Sequence, residues 1–457
     1  MKLHYLVLSM FLWALSVENV NAQNSEKPRL LILTDIGGDP DDQQSLIRLC
    51  LYANEFDIEG VIASASGTPG ELKEAIVQPQ LIEEIVQAYG KVRSNLLLHD
   101  PDYPSEAYLL NRIKRGNPHR GLSYIGEGHD TEGSEWIIQM TDKNDARPLN
   151  IAIWGGQTDL AQALWKVKNT RDRKAYDDFV SGIRIYDIAD QDNIYEWMIQ
   201  QFSGLFYVLN KAPEEEDKRN AAFRGMYLGG DEALTSTEWI NTHVREDHGP
   251  LGALYPPKTW TAPNPHSTMK EGDTPSWFYF LLNGLSDPDH PEWGGWGGRF
   301  TRTTGQLYRD AIDQMGEDQS RRATVWRWRP DFQSDFQARM DWCILPYDQA
   351  NHAPKALVRG FEEEEIITYA VPPGETVTLD ASLSTDPDGD SLMYSWFYYP
   401  EASSYQGDFS FQENTPSVEC TIPRELQPGE TIHIILRVND DQKASMPDYK
   451  RIIFLIQ

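Results

Sequence analysis

Four aspartates follow directly on an apolar run near the start of the chain, and their side chains are the ones best placed to do chemistry. The apolar run covers residues 30–33, and the carboxylates are Asp35, Asp39, Asp41 and Asp42. Carboxylates a few ångströms apart repel one another unless a hard cation, protons or hydroxyl donors compensate their charge. Parallel α/β sheets place their ligand sites at the carboxyl ends of the strands, which is where this cluster falls. We therefore favour a cation or sugar site over an acidic turn in solvent.

Two other groups of side chains suit the recognition of a sugar. Gln191, Asp192 and Asn193 follow directly on a predicted strand, and their amides and carboxylate match sugar hydroxyls. An Asx-type helix cap explains the same three residues equally well. Trp293 and Trp296 are separated by two glycines and suit stacking on a pyranose ring, with a loop folded over its own tryptophans as the alternative.

The elements that position these residues come from an alternation of short β-branched runs and amphipathic stretches between about residues 28 and 210. Such alternation is typical of βαβ units around a mainly parallel sheet, so we predict an α/β domain over residues 28–350. The predicted strands are Leu30–Leu33, Gly60–Ala63, Asn95–Leu98, Leu149–Trp154 and Gly182–Ile188. The predicted helices are Ser45–Tyr52, Glu71–Tyr89, Gln157–Val167 and Asp331–Trp342.

The character of the sequence changes near residues 350–365. From there on, alternating strand patterns are separated by turns, and the residues 386–390 carry Asp-Pro-Asp-Gly-Asp turn chemistry. The predicted strands are Thr376–Leu379, Leu392–Trp396, Thr431–Val438 and Arg451–Leu455. This pattern predicts a small all-β, immunoglobulin-like sandwich over residues 360–457.

The net charge and the N-terminal residues indicate where the protein is located and which partners it lacks. The 457 residues carry a formal net charge of −29, and no basic stripe is present to displace counterions from phosphates, so we expect no nucleic-acid partner. Residues 1–22 have a charged start, an apolar centre and a small-residue exit, which predicts a secretory signal peptide cleaved after Ala22. No later segment reaches about 18 apolar residues, so no membrane span is predicted. The mature protein is therefore expected to be secreted or periplasmic.

The cysteines exclude a disulfide framework. There are three, Cys50, Cys343 and Cys420, and their odd number and wide spacing allow one disulfide at most. Cys50 lies at a core-facing position of a predicted helix, which favours a buried thiol.

Two sets of motifs resemble known families. Residues 32–35 with 40–42, Ile-Leu-Thr-Asp and Pro-Asp-Asp, resemble the acidic signature of nucleoside hydrolases, calcium-dependent enzymes that cut an N-glycosidic bond to ribose. Residues 41–46, 52–60 and 283–300 resemble the secreted subgroup called cellulose-binding proteins with a nucleoside-hydrolase-like domain. The sandwich also resembles immunoglobulin-like modules of the polycystic-kidney type, with Trp396 as their core tryptophan. The resemblance implies a nucleoside-hydrolase-like sheet and a carbohydrate or glycoside partner.

The resemblance also implies a Ca²⁺ site. By position, Asp42 matches the main metal carboxylate and Asp41 the acceptor of a ribose hydroxyl. Asp273 resembles the distant aspartate that completes the metal shell, and Trp154 stands where a backbone carbonyl binds the metal. Asp35 is the natural further residue of this site, either as a metal ligand or as the general base.

Two glycines depart from the family pattern. Gly37 occupies the position of the water-activating aspartate, so that either Asp35 or Asp39 takes over as base or the base is missing. Gly272 stands where a histidine often protonates the departing base, and His266 and His248 are the available substitutes.

Three functions follow, in this order. The first is a secreted hydrolase that acts on, or binds, carbohydrate through metal-assisted cleavage of an N- or O-glycosidic bond. The second is a non-catalytic polysaccharide-binding protein, which the two glycines favour. The third is a true nucleoside N-ribohydrolase.

Overall fold

A computed structural model describes residues 27–68, 70–260, 268–412 and 414–457. The predicted signal peptide, residues 1–22, lies outside the described residues. The larger domain is built on an eight-stranded sheet with the order β3-β2-β1-β4-β5-β6-β8-β7, parallel throughout except for the edge strand β7. Its strands are β1 (Arg29–Thr34), β2 (Asp57–Ala63), β3 (Ile113–Arg115), β4 (Leu149–Ile153), β5 (Ile183–Ile188), β6 (Phe206–Asn210), β7 (Phe300–Thr304) and β8 (Leu307–Asp310).

Helices cover both faces of this sheet. Leu30 and Ile32 of β1 point into one apolar core, while Leu31 and Leu33 point into the other, as the two-residue period of a strand requires. The helices are α1 (Asp41–Leu51), α2 (Pro79–His99), α3 (Glu106–Leu110), α4 (Glu132–Thr141), α5 (Gln157–Thr170), α6 (Arg173–Ser181), α7 (Tyr195–Gln201), α8 (Thr237–Ile240), α9 (Gly249–Ala253), α10 (Thr274–Phe278), α11 (Ala323–Trp326) and α12 (Arg329–Asp341). The predicted α/β fold is confirmed.

One predicted strand is wrong. Residues 95–98 form the last turn of α2 instead of a strand, because their leucines continue the helical pattern that begins at Pro79. Leu96 is buried and Leu98 is exposed, a difference that a helix tolerates at its end. The same helix starts later than the predicted Glu71, because a proline is accommodated in the first turn of a helix and not in its interior.

The second domain is a sandwich of two sheets. Its larger sheet has the order β11-β16-β15-β13, and its smaller sheet pairs β12 with β14. Trp396 lies in the core between them and is fully buried. The strands are β11 (Ile366–Val371), β12 (Thr376–Asp380), β13 (Leu392–Tyr398), β14 (Ser417–Thr421), β15 (Thr431–Asp440) and β16 (Asp448–Ile456); β9 (Asp313–Met315) and β10 (Asp318–Ser320) form a separate hairpin before it.

The loop that carries the two glycine-spaced tryptophans packs against the sandwich. Trp296 is only 2% exposed, and its indole N–H donates to the hydroxyl of Tyr449 at 3.3 Å. The backbone carbonyls of Trp293 and Gly294 accept hydrogen bonds from the buried guanidinium of Arg451 at 3.0 and 2.9 Å. The prediction for Trp296 is therefore corrected, because its ring is part of the domain interface; Trp293 is half-buried, with its ring stacked on that of His290.

Truncation of this tryptophan is expected to destabilise the protein. We expect Trp296→Ala to lower the free energy of unfolding by about 3–5 kcal/mol, because it removes a buried aromatic side chain and leaves a cavity between the domains. Trp260→Ala is the matched control, since Trp260 is 56% exposed and should change stability by less than about 0.5 kcal/mol. Denaturant unfolding of both variants measures the difference, and equal losses would contradict the interface assignment.

Two further findings concern the cysteines and the length of the helices. Cys50, Cys343 and Cys420 are buried free thiols, so Cys343 and Cys420 are not joined to each other. None of the helices in the described part of the chain is long and apolar enough to cross a membrane.

Candidate functional site

The acidic residues lie in a cavity at the carboxyl end of β1. This strand ends at Thr34, and α1 begins at Asp41, so the six-residue connection sits where parallel sheets place their ligands. The cavity has a volume of about 250 Å³. Its polar and charged lining residues are Asp35, Asp39, Asp41, Asp42, Thr68, Glu71, Gln191, Lys218, Arg224, Lys270 and Asp273.

Three carboxylates converge inside this cavity. Asp41, Asp42 and Asp273 each offer an oxygen, and the three oxygens lie within 4.8 Å of one another. Burial raises the pKa of Asp42 well above its usual value, and the nearby charges of Asp273 and Asp35 raise it further. Asp273 is 3% exposed, and its Oδ2 atom has no hydrogen-bond partner among the described residues. A buried carboxylate oxygen without a donor is costly unless a cation or ligand donor compensates it.

A lysine already contacts the edge of the cluster. Lys270 Nζ lies 2.7 Å from Oδ2 of Asp39 and 3.0 Å from Oδ2 of Asp41. Asp39 also accepts a hydrogen bond of 2.7 Å from the backbone N–H of Trp260. The predicted base Asp39 is therefore held in an ion pair, which makes it the weaker of the two candidates for that role.

Asp35 lies in the same cavity, beside an arginine that the sequence did not reveal. Oδ2 of Asp35 accepts a hydrogen bond from Arg120 at 3.3 Å, and the same guanidinium reaches Asp192 at 3.4 Å. Burial raises the pKa of Asp35 to about 7, against the opposing charge of Arg120. Asp35 is outside the group of three converging carboxylates, so the structure favours its predicted role as a base over its predicted role as a metal ligand.

Helix α1 holds the loop that carries Asp273. The carbonyl oxygen of the Gln44 amide accepts hydrogen bonds from the backbone N–H groups of Lys270 and Glu271. Arg48 donates to both carboxylate oxygens of Glu271, at 2.5 and 3.2 Å, and both side chains are fully buried. Glu271 has a positive φ of 44°, a conformation rare for a residue with a side chain. The same helix therefore supplies Asp41 and Asp42 and fixes the backbone of Asp273.

Trp154 connects β4 to the same loop. Its indole N–H donates to the hydroxyl of Ser276 at 2.7 Å, and that hydroxyl donates to the carbonyl of Asp273 at 2.6 Å. The backbone carbonyl of Trp154, the predicted metal ligand, accepts a hydrogen bond from the side-chain amide of Gln191. A carbonyl oxygen has two lone pairs, so one remains for a cation.

Of the predicted sugar-binding triplet, only Gln191 lines the cavity. Asp192 is buried, and its Oδ2 accepts hydrogen bonds from the backbone N–H and the hydroxyl of Thr158, at 2.8 and 2.6 Å. It therefore caps the first turn of α5 from a distant loop, and the alternative of a helix cap is correct for this residue. Asn193 is exposed and lies outside the cavity lining. The predicted roles of Asp192 and Asn193 in sugar binding are corrected accordingly.

Gly37 and Gly272, the two glycines that depart from the family pattern, differ in the space around them. Gly37 has a φ of 108°, and a side chain there would collide with the amide of Gln78. Gly272 is beside the cluster instead, because a Cβ atom there would lie 3.2 Å from Oδ2 of Asp41 and 3.4 Å from the ring of Phe223. The aromatic ring of Phe223 lines the cavity at the point where the resemblance places a histidine.

His248 does not replace that group in the described structure. Both ring nitrogens of His248 are hydrogen bonded, to the Glu246 carbonyl and to Asp341, and His248 is not part of the cavity lining. His266 lies outside the described residues. Trp260, whose backbone N–H contacts Asp39, is 56% exposed and was not predicted as a site residue.

Comparisons with known proteins identify the family. The profile described as "Cellulose-binding Sde182, nucleoside hydrolase-like domain" matches residues 29–300, which is more than half of the chain. The chain belongs to this family. The profile described as the C-terminal domain of the cellulose-binding protein Sde0182 matches residues 376–456. No curated protein matches the chain.

Solved structures give the same fold. A nucleoside hydrolase-related protein from Saccharophagus degradans, described as associated with carbohydrate metabolism, is 34% identical with a TM-score of 0.79 and covers 94% of this chain and 100% of its own. An endo-fucoidan hydrolase of glycoside hydrolase family 107 covers 94% of this chain and 80% of its own, but its 10% identity and TM-score of 0.19 support no argument. The predicted nucleoside-hydrolase-like architecture is confirmed by the first of these.

Proposed function

We propose that this protein is a secreted, carbohydrate-active hydrolase that binds a glycoside in the acidic cavity and cleaves a glycosidic bond with the help of calcium. The observation that carries the proposal is the convergence of Asp41, Asp42 and Asp273, with one Asp273 oxygen left without a partner among the described residues. The family supports a carbohydrate ligand, because its description names cellulose binding and the relative from Saccharophagus degradans is associated with carbohydrate metabolism. A binding partner of this kind also fits an extracellular location.

The oxygen atoms fit a calcium ion. Calcium takes about six to eight oxygen ligands from carboxylates, backbone carbonyls and waters. Asp42, Asp273 and Asp41 would hold it, with the Trp154 carbonyl as a further donor. When bound, the ion supplies positive charge that compensates the carboxylates and polarises sugar oxygens.

Within this cavity, Asp35 is the residue we assign as general base. Burial raises the pKa of Asp35 to about 7 in the cavity without a cation, and a bound calcium ion would lower it. The assignment therefore rests on the position of Asp35 in the cavity beside the three converging carboxylates. In the reaction, Asp35 takes the proton of the water that attacks the anomeric carbon, while Arg120 holds the carboxylate in place. Gln191 and Asp41 are available to hydrogen bond sugar hydroxyls. Since Gly272 provides no acid, the departing oxygen takes its proton from solvent water. Our choice of glycosides over nucleosides follows from the cellulose-binding family.

One observation favours the second candidate, a binding protein without catalysis. Lys270 already places a positive charge between Asp39 and Asp41, and this charge stabilises part of the cluster without any metal. In that case the cavity binds a sugar through carboxylates and amides, and no bond is broken.

Replacement of the proposed base tests the choice between the two functions. We expect Asp35→Asn to lower the turnover of a glycoside substrate by about 10²–10⁴-fold while calcium still binds, because the amide cannot accept the proton of water. Asp39→Asn is the matched control and should retain most of the turnover, since Asp39 pairs with Lys270. A hydrolysis screen of glycosides and nucleosides, with and without a chelator, supplies the substrate for this measurement.

The outcomes of that screen separate the candidates. Reducing sugar released only without the chelator supports the hydrolase. Sugar binding with no product from any substrate supports the binding protein, and free base released from inosine or uridine would overturn our choice of glycosides. Loss of turnover in Asp39→Asn with full turnover in Asp35→Asn would move the base to Asp39.

A further inference from the structure

A groove between the two domains combines features that proteins use to bind neutral sugars, and it shares no lining residue with the acidic cavity. Its volume is about 830 Å³. The lining comes from α12, from the segment 347–351 that joins the domains, and from the two sandwich loops that carry Asp388 and Gln442. The groove therefore exists only when the domains are packed as described.

An exposed aromatic ring stands in this groove. Tyr347 is 41% exposed, and within the described residues only Trp260 is a second Trp, Tyr or Phe that is exposed over more than a third of its surface. The other aromatic residues in the described part of the chain are buried or half-buried, so an exposed ring that lines a large groove needs a reason. A flat ring with an apolar face and a polar edge is suited to lie against a sugar ring.

The ring of Tyr347 rests on a fixed support. Its centroid lies 3.8 Å from that of His352, and the two rings are nearly parallel at 18°. His352 is held from both domains, because Nδ1 lies 3.0 Å from Oδ1 of Asp388 and Nε2 lies 2.9 Å from Nδ1 of His99. One face of Tyr347 is therefore covered by a hydrogen-bonded imidazole, while 41% of the residue stays exposed. Such a platform loses little conformational entropy when a ligand binds.

The polar lining of the groove suits hydroxyl groups rather than charges. Amide side chains, which both donate and accept hydrogen bonds, come from Gln337, Gln349, Asn351 and Gln442. The charged lining is mostly acidic, with four aspartates against one lysine, so an anionic glycan would be repelled. We propose that this groove is a second carbohydrate site, which binds a neutral polysaccharide chain with one sugar ring stacked on Tyr347 and its hydroxyls hydrogen bonded to the amides.

Binding of the full chain to insoluble cellulose tests the proposal. We expect Tyr347→Ala to weaken binding at least about tenfold, which corresponds to about 1.4 kcal/mol, because the stacking face is lost. Tyr347→Phe keeps the ring and should bind within about twofold of the wild type. Soluble cello-oligosaccharide should displace the protein from cellulose, and oligogalacturonate should not. Tyr347 is exposed, so both variants are expected to unfold at the same denaturant concentration as the wild type.

Calcium binding in the acidic cavity provides the independent comparison. Tyr347→Ala should bind calcium like the wild type, because the groove shares no residue with that cavity. The proposal is overturned if the wild type does not bind cellulose, if Tyr347→Ala binds cellulose as tightly as the wild type, or if Trp260→Ala abolishes binding in its place. If the groove does not bind cellulose, calcium binding in the acidic cavity can still be measured. If the cavity does not bind calcium, cellulose binding by the groove can still be measured.

Discussion

Asp42→Asn is expected to abolish the stabilisation of this protein by calcium. The wild type should gain about 2.7 kcal/mol of unfolding free energy when free calcium exceeds its Kd about a hundredfold, because calcium binds the folded cluster and not the unfolded chain. The variant loses one of three converging carboxylates, while the amide oxygen still accepts the hydrogen bond from the Thr34 hydroxyl. Thermal unfolding of the wild type and of Asp42→Asn, with calcium and with chelator, measures the stabilisation of each protein by calcium.

The same variant is expected to be at least as stable as the wild type in chelator. Burial raises the pKa of Asp42 well above its usual value, which means that the ionised carboxylate is unfavourable in the cluster without a cation. An amide removes that cost. A calcium-induced gain in Asp42→Asn equal to that of the wild type would place the calcium elsewhere in the protein.

The second large effect is on the buried ion pair below the site. We expect Arg48→Met to lower the free energy of unfolding by about 3–5 kcal/mol, because Glu271 would remain charged and buried without its partner. The loop that carries Asp273 would also lose an anchor, so calcium affinity should fall together with stability. Denaturant unfolding and calorimetric titration measure the two effects.

Two further variants separate the contribution of the pair from that of the arginine alone. Arg48→Met combined with Glu271→Gln should recover a large part of the lost stability, since the unpaired charge is gone. Arg48→Lys should recover less than the double variant, because lysine lacks the planar fork that bonds both oxygens of Glu271. A loss below about 1 kcal/mol in Arg48→Met would show that the pair does not hold the loop.

The acidic centre of the site was predictable because its members follow local rules. A buried strand followed by clustered aspartates predicts Asp35, Asp41 and Asp42 at the carboxyl end of β1, and the three residues line the cavity there. Asp273 was found through the family resemblance and not through spacing, and it does converge with Asp41 and Asp42. Sequence periodicity alone would not have brought residues more than 200 positions apart together.

The supporting residues were not predicted, because their partners are distant in the sequence. Arg48 contacts Glu271, and Arg120 contacts Asp35, across 223 and 85 positions. A weak signal existed for the first of these: Gln44 and Arg48 are four residues apart and follow Asp41 on the same helix, which places polar groups on a face that is otherwise buried. The contact of Lys270 with Asp39 and Asp41 was also not predicted, although Lys270 lies only three residues before Asp273.

The tryptophan loop and the strand at residues 95–98 show two limits of pattern reasoning. Glycine-spaced tryptophans lack a period, so their sequence does not tell a sugar platform from a domain interface, and burial of Trp296 decides for the interface. A short leucine run fits a strand or a helix equally well, and here the length of α2 decides. The exposed Tyr347 went unnoticed for the same reason, because exposure of a single ring depends on how the domains pack.

The central claim is that Asp41, Asp42 and Asp273 bind one divalent cation, and a crystal structure of the protein with calcium tests it most directly. The account predicts one ion with oxygens of all three aspartates at about 2.3–2.6 Å. Crystals in millimolar calcium with no ion among these carboxylates, or with calcium bound only elsewhere, would contradict it.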